Sequence, residues 1–185
     1  MIWNAFLREL GRVAKAIETG LAVVAALSML AILFLTTADV VMRYAINAPL
    51  GWAYDLVTYY LLAATFFLAF PLALGAGDHI AVDFIARKLP QRLTRLALAP
   101  ACLLSAALFG AVGWYGLHEA TAAWRQDEVI AGAILWPVWQ TKIFLPLSMW
   151  AMALRLVHIG LSHAGAAVDA ARFPFRAPAF HAAED

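Results

Sequence analysis

Three long stretches of the sequence carry no charged residue, and they constrain the fold more than any other feature. They are Gly20–Ala38, Leu56–Ala76 and Leu96–Leu117, with 19, 21 and 22 residues. About 20 apolar residues in a helix are enough to cross the ~30 Å of hydrocarbon in a bilayer. Each stretch therefore predicts one transmembrane helix.

A fourth apolar stretch, Trp136–Ile159, is equally long but contains Lys142 near its start and Arg155 near its end. Both side chains are long enough to extend along a helix to the membrane interface, so neither rules out a span. Hydrophobic residues make up 64% of the chain, well above the share in ordinary soluble domains. We expect an all-α membrane protein with four transmembrane helices.

The predicted organisation is one membrane domain followed by a tail. The spans are expected at about 17–44, 53–76, 94–118 and 136–159, within a domain of residues 1–160. Residues 161–185 are rich in alanine and contain Pro174 and Pro178. They have little apolar surface to bury, so we expect a mobile cytoplasmic tail.

The number of basic residues alternates between the connections, and this predicts the orientation. Basic residues close to a span resist translocation, so the sides on which they are numerous are cytoplasmic. Both termini and the middle connection are therefore expected in the cytoplasm. In chain order, the residues are Arg8, Arg12 and Lys15 before the first span, Arg43 alone in the first connection, Arg87, Lys88, Arg92 and Arg95 in the second, Arg125 alone in the third, and Arg155, Arg172 and Arg176 on the C-terminal side.

The middle connection contains a short amphipathic pattern. Asp78 can cap a helix in which Val82, Ile85 and Leu89 share one face. We expect this short helix to lie on the inner leaflet, where a basic cluster would contact anionic membrane lipids. The cluster consists of Arg87, Lys88, Arg92 and Arg95.

Several kinds of chemistry lack the sequence motifs they need. Neither a G-x-x-x-x-G-K-[ST] nor a G-x-G-x-x-G segment occurs, which argues against nucleotide binding. The single cysteine, Cys102, argues against a disulfide framework, and the net charge of +1 argues against a nucleic-acid partner. We expect no catalytic residue, no metal site and no cofactor.

The histidines leave one redox alternative open. His118 and His158 end the third and fourth predicted spans at opposite faces, so they cannot share a haem iron. His79 and His158 both lie near the cytoplasmic face and could do so. A membrane-anchor subunit of a redox complex therefore stays open as an interpretation, and so does an independent small four-helix transporter.

Polar and aromatic residues converge where the first span ends. Asp39 and Arg43 are spaced i, i+4 with the acid first, the better order for a helical ion pair. Trp52 and Asp55 follow after a short turn. The pair is either an exposed surface pair worth under ~1 kcal/mol or part of a contact with another subunit or a binding protein. All four residues are candidate contact residues.

Lys142 is a fifth candidate, lying four residues before Pro146. Proline lacks the N–H that would bond the Lys142 carbonyl, so a kink is expected there. The lysine side chain either extends to the interface or pairs with a carboxylate of another subunit.

The third span carries a ridge of small residues on one side. Such a ridge lets another helix approach closely, whether that helix belongs to this chain or to a partner. The ridge consists of Ala106, Gly110, Gly113 and Gly116.

Taken in order, several segments resemble the small membrane subunit of tripartite ATP-independent periplasmic (TRAP) transporters, of the dicarboxylate-transporter (DctQ-like) type. Their order and spacing on four spans carry the resemblance. Where many members have a pair of glutamates after the tryptophan, this chain has Tyr54 and Asp55. The segments are Asp39-Val40-Val41-Met42-Arg43-Tyr44 with Trp52, His79-Ile80-Ala81-Val82-Asp83 with Leu89-Pro90, and Pro137-x-Trp139 with Leu145-Pro146 and Arg155.

The resemblance implies a system in which a periplasmic binding protein captures an organic acid and a large multi-span subunit moves it with a sodium gradient. The small subunit would join the large one in the bacterial inner membrane as part of a fixed scaffold. It would be neither an enzyme nor the substrate pathway.

Overall fold

The computed structural model of the chain describes residues 2–76, 91–132 and 134–168. Within these ranges, four helical stretches are long and apolar enough to cross a membrane, which confirms the predicted number of spans. The elements in chain order are α1 (Ile2–Ala45), α2 (Gly51–Asp55), a π-helical segment (Leu56–Leu61), α3 (Leu62–Ala76), α4 (Gln91–Arg125), β1 (Val129–Ile130), β2 (Trp136–Pro137), α5 (Trp139–Lys142) and α6 (Phe144–Val168).

The residues of the predicted basic cluster fall partly outside and partly inside the described ranges. The predicted amphipathic helix, with Arg87 and Lys88, lies outside the described residues. Arg92 and Arg95 lie in the first turns of α4. The orientation of the spans and the lipid contacts of this cluster remain predictions.

Helix α1 packs against the other helices along a seam that repeats every seven residues. Its buried positions and most of its half-buried ones recur at alternating steps of three and four, the repeat that keeps one side of a helix against its neighbours. Ala25 packs with Ala64 and Leu68 of α3, and Gly11 lies against His158 of α6. The seam comprises Leu7, Gly11, Ala14, Glu18, Leu21, Ala25, Ser28, Ile32, Leu35, Asp39 and Met42.

Helix α6 is the central element of the described bundle. It contacts α1 and α3 on one side and α4 along most of its length on the other. Helices α1 and α3 also pack against each other, so these two and α6 form a three-helix group. Because α4 docks mainly on α6, the four spans form a broad layer rather than a closed square.

Small residues allow α4 to approach α6 closely. A Cβ at Gly116 would lie 3.2 Å from Leu145 and from Pro146, and one at Gly160 of α6 would lie 3.1 Å from Leu103. Three members of the predicted ridge thus belong to a seam within this chain, whereas the fourth, Gly110, faces open space. The buried seam positions on α4 are Ala99, Ala106, Gly113, Gly116, Ala120 and Ala123.

Two of the spans are not regular α-helices. In the second span the Leu62 N–H bonds to the Val57 carbonyl, five residues back, which is the π-helical pattern. In the fourth span α5 ends at Lys142 and α6 begins at Phe144, so the helix is interrupted where the kink was expected. Pro146 is fully buried at this break.

Helix α6 also determines where a tail can begin. The predicted tail started at residue 161, but α6 continues to Val168 and buries Ser162 and His163. A tail therefore starts no earlier than residue 169. Residues 169–185 lie outside the described residues, and their mobility stays a prediction.

Gly113 and Gly110 offer a matched test of the α4–α6 seam. A Cβ at Gly113 would lie 2.6 Å from the Trp150 indole, whereas a Cβ at Gly110 would meet nothing within 4 Å. We expect Gly113→Val to destabilise the chain by about 1–3 kcal/mol more than Gly110→Val, because overpacking forces side chains and backbone apart. Thermal unfolding of the two variants in one detergent measures the difference, and equal midpoints would contradict the packing described.

Candidate functional site

A buried ion pair joins the first and fourth spans. The Arg155 guanidinium donates two hydrogen bonds to the Glu18 carboxylate, from Nε to Oε1 at 2.7 Å and from Nη2 to Oε2 at 2.5 Å. Glu18 is only 1% exposed. Such two-pronged pairing fixes both the rotation and the depth of one helix relative to the other.

This pair is not among the sequence-based predictions. The sequence predicts an Arg155 that extends towards the membrane interface, but the guanidinium instead turns inward to Glu18 on α1. A usable signal was present, because Glu18 occupies a seam position between Ala14 and Leu21. A charge on an otherwise apolar seam requires a partner, and charges within spans pair with one another.

His158 strengthens the same contact one turn further along α6. Its Nε2 lies so close to Gly11 that a Cβ there would come within 2.8 Å, and the ring hydrogen-bonds to the Leu7 backbone. This histidine therefore holds α1 against α6. Its proposed partner around a haem, His79, lies outside the described residues.

We call the opposite end of the bundle, which contains residues 46–50 and 126–138, the hairpin end. There Asp39 makes two contacts within the chain. One carboxylate oxygen accepts a hydrogen bond from Arg43 at 2.6 Å, and the other accepts the Leu50 N–H at 2.8 Å. Asp39 thus closes the turn after α1, in which Asn47 adopts a φ of 55°. Arg43 remains 58% exposed and can still meet a partner.

Lys142 pairs with carboxylates of its own chain. Its Nζ donates to Glu128 at 3.0 Å and lies 3.9 Å from Glu119 at the end of α4. The sequence analysis considered only the membrane interface and another subunit as its surroundings. The lysine instead connects the start of the fourth span to the end of the third.

The hairpin end contains a short β-hairpin, which the all-α prediction did not include. Strands β1 and β2 are antiparallel, with Ile130 opposite Trp136. The Tyr60 hydroxyl donates to the Pro137 carbonyl at 2.5 Å, and its ring lies 5.4 Å from that of Trp136. The π-helical segment that carries Tyr60 is thereby fastened to the hairpin.

Asp55 and Trp52 occupy different surroundings at this end. The Asp55 carboxylate lies so close to Gly132, in the hairpin loop, that a side chain at that position would overlap it. Trp52 is exposed. The structure therefore gives Asp55 a contact inside the chain and leaves Trp52 on the surface.

Among the described residues, no group of three histidine, cysteine, aspartate or glutamate side chains could hold a metal ion. What the described charges do is connect elements: Glu18 with Arg155, Asp39 with the turn, and Lys142 with Glu128. The arrangement fixes helices in place and presents Arg43 and Trp52 on one end.

The model of one known family, Tripartite ATP-independent periplasmic transporters, DctQ component, matches residues 32–162. This chain belongs to that family. The match covers most of the chain and confirms the resemblance seen in the sequence, so this DctQ component is a small permease subunit of a TRAP transporter and a transmembrane protein. Comparison with curated proteins finds no match, and comparison with solved structures finds none either.

The range that the family model matches contains only one member of the buried ion pair of this DctQ protein. Arg155 lies inside the range, whereas Glu18 and the first part of α1 precede it. The hairpin end, with Asp39, Arg43, Asp55 and Lys142, lies wholly inside.

We expect Arg155→Met to destabilise the protein severely, because the Glu18 carboxyl would be left in a buried site without its partner. Removing one member of a buried pair costs about 3–5 kcal/mol, while replacing both with apolar residues is often neutral. The double variant Glu18→Met/Arg155→Met should therefore unfold nearer the wild-type temperature than Arg155→Met does.

Thermal unfolding in detergent measures all three proteins. Arg12→Met, which removes only the exposed pair with Glu9, serves as the control and should change little. A double variant less stable than Arg155→Met alone would contradict the pairing.

Proposed function

We propose that this subunit is a fixed scaffold partner of the large transport subunit in sodium-coupled uptake of an organic acid. A periplasmic binding protein would deliver the acid. The chain would lie in the bacterial inner membrane with both termini in the cytoplasm, and it would catalyse no reaction. Membership of the DctQ family supports this proposal, since the family belongs to TRAP transporters.

The observation that carries the scaffold role is the broad layer formed by α4, α6 and the α1–α3 pair. Only 11% to 33% of the most apolar window of each span is buried within the chain. Wide apolar faces are thus left for lipid and for a large membrane partner. On α4, for example, Leu104, Leu108 and Trp114 are exposed.

Fixed internal contacts favour a static part over a moving one. The pair between Glu18 and Arg155 joins α1 to α6, and the close seam joins α4 to α6. Lys142 and Tyr60 fasten the hairpin end. A layer held at both ends in this way can serve as a wall against which another domain moves.

The hairpin end is the proposed periplasmic face, on which the binding protein would dock. The distribution of basic residues supports an orientation with this end outside the cytoplasm. Trp52 and Trp124 are exposed there, as expected of aromatic residues at a membrane interface. Arg43 and the exposed hairpin residue Leu135 would be available to a docked protein.

Reporter fusions test the orientation. A reporter that is active only outside the cytoplasm should work after Ala48 and after Gln126, and should fail after Arg87 and after Arg172. Activity at Arg87 would overturn the proposed orientation.

Copurification tests the scaffold role. When the chain is expressed with the membrane proteins of its host and purified in mild detergent, mass spectrometry should find one large multi-span protein in stoichiometric amount. Recovery of the chain alone, or sodium binding and transport by the chain alone, would contradict the proposal.

Arg43→Glu tests the docking face. We expect it to lower uptake at least about tenfold, because losing a desolvated contact to a partner costs on the order of 2–5 kcal/mol. The matched control is Arg43→Lys, which keeps a positive charge next to Asp39 and should leave most of the uptake intact.

Uptake is measured in proteoliposomes that contain all three components, normalised to the assembled complex. Equal uptake by Arg43→Glu and the wild type would show that Asp39 and Arg43 make no functional contact with a partner.

A further inference from the structure

Helix α1 is longer than a membrane crossing requires. Its 44 residues correspond to about 66 Å of helix, whereas a bilayer with its headgroups is about 40–45 Å thick. The charge-free run begins only after Glu18. Residues 2–17, which we call the N-terminal arm, therefore add about 24 Å of helix before it.

The arm is fixed to the rest of the protein along one face. Leu7 and Ala14 are buried, Gly11 lies against His158, and Glu18 pairs with Arg155 immediately after the arm. The bundle therefore sets the direction of the arm. It also determines which faces of the arm point away from α6.

A second apolar stripe runs along the arm beside the buried face. Its members recur every three or four residues, so they lie on one side of the helix. Phe6 and Val13 are 50% and 51% exposed, although both are apolar. The stripe consists of Trp3, Phe6, Leu10, Val13 and Ile17.

Three basic residues occupy the side of the arm opposite this stripe. The acidic residue Glu9 lies next to the stripe and pairs with Arg12, which leaves a net charge of +2 on the arm. A helix with Trp and Phe on one side and Arg and Lys on the other is typical of helices that lie at a membrane surface. The charged residues are Arg8, Glu9, Arg12 and Lys15.

The length of α1 explains how the stripe can reach lipid. A helix that is longer than the thickness of the bilayer tilts, which reduces the mismatch in length. One side of the part that emerges from a tilted helix then faces the membrane, while the other side faces water. Anionic headgroups attract basic residues within about a Debye length, so the net positive charge favours an anionic surface.

We propose that the N-terminal arm meets the membrane surface at the angle set by the tilt of α1, with its apolar stripe among anionic lipids. The contact would set the tilt of α1 and, through the pair between Glu18 and Arg155, the tilt of the whole layer. This inference does not depend on the transport function. Only the choice of the cytoplasmic leaflet follows from the proposed orientation.

Fluorescent labels on the full chain test the proposal. In a Cys102→Ser background, single cysteines replace Phe6, Val13 or Lys15 and carry an environment-sensitive nitrobenzoxadiazole group. The labelled chains are placed in vesicles of phosphatidylethanolamine with phosphatidylglycerol, or of phosphatidylcholine alone. Lys15 is the matched control, since it is exposed on the charged side of the same arm.

We expect iodide to quench the labels at positions 6 and 13 at least about threefold less than the label at position 15 in the anionic vesicles. The protection should weaken in phosphatidylcholine. Two stripe positions are used so that a local disturbance at one does not decide the result.

Three outcomes would overturn the proposal. Equal quenching at all three positions would show that the stripe lies in water. Equal protection in both kinds of vesicle would exclude a preference for anionic lipid. Protection that appears only after the large transport subunit is added would assign the stripe to a protein partner instead.

Discussion

The arrangement of the spans depends on one interaction, the buried pair between Glu18 and Arg155. Two charges in a site of low dielectric attract each other strongly, but each also loses its hydration, so the pair is stable only when both members are present. Its two-pronged geometry fixes α1 against α6. Helix α3 packs against both of these helices, and α4 uses the other side of α6.

The number of spans and the break in the fourth could be predicted because both depend on local properties of the chain. Apolar length alone identifies a span, and Pro146 removes a hydrogen bond wherever it lies in a helix. The ends of the helices were harder to predict. Helix α1 begins at Ile2 and α6 continues to Val168, so both extend past the predicted spans. Helix α1 packs against α6 before its apolar run begins, and α6 buries Ser162 and His163 after its own run ends. Hydropathy registers neither of these contacts.

The partners of the charged residues could not be predicted for a different reason. Each basic residue in a span has a local explanation, extension to the interface, that needs no partner. Only the fold brings Lys142 close to Glu128, and only the fold lets the second carboxylate oxygen of Asp39 accept the Leu50 N–H. The hairpin was missed because its two strands have only two residues each, too few to show an alternating pattern.

The separation of Glu18 from Arg155 along the chain, 137 residues, has a consequence for how the protein is made. At a synthesis rate of roughly 5–20 residues per second, the carboxylate waits about 7–27 seconds for its partner. During that interval it is stable only in contact with water. Glu18 is therefore expected to stay near the membrane surface until the last span has been synthesised, so the close packing of the first helix on the fourth is a late step.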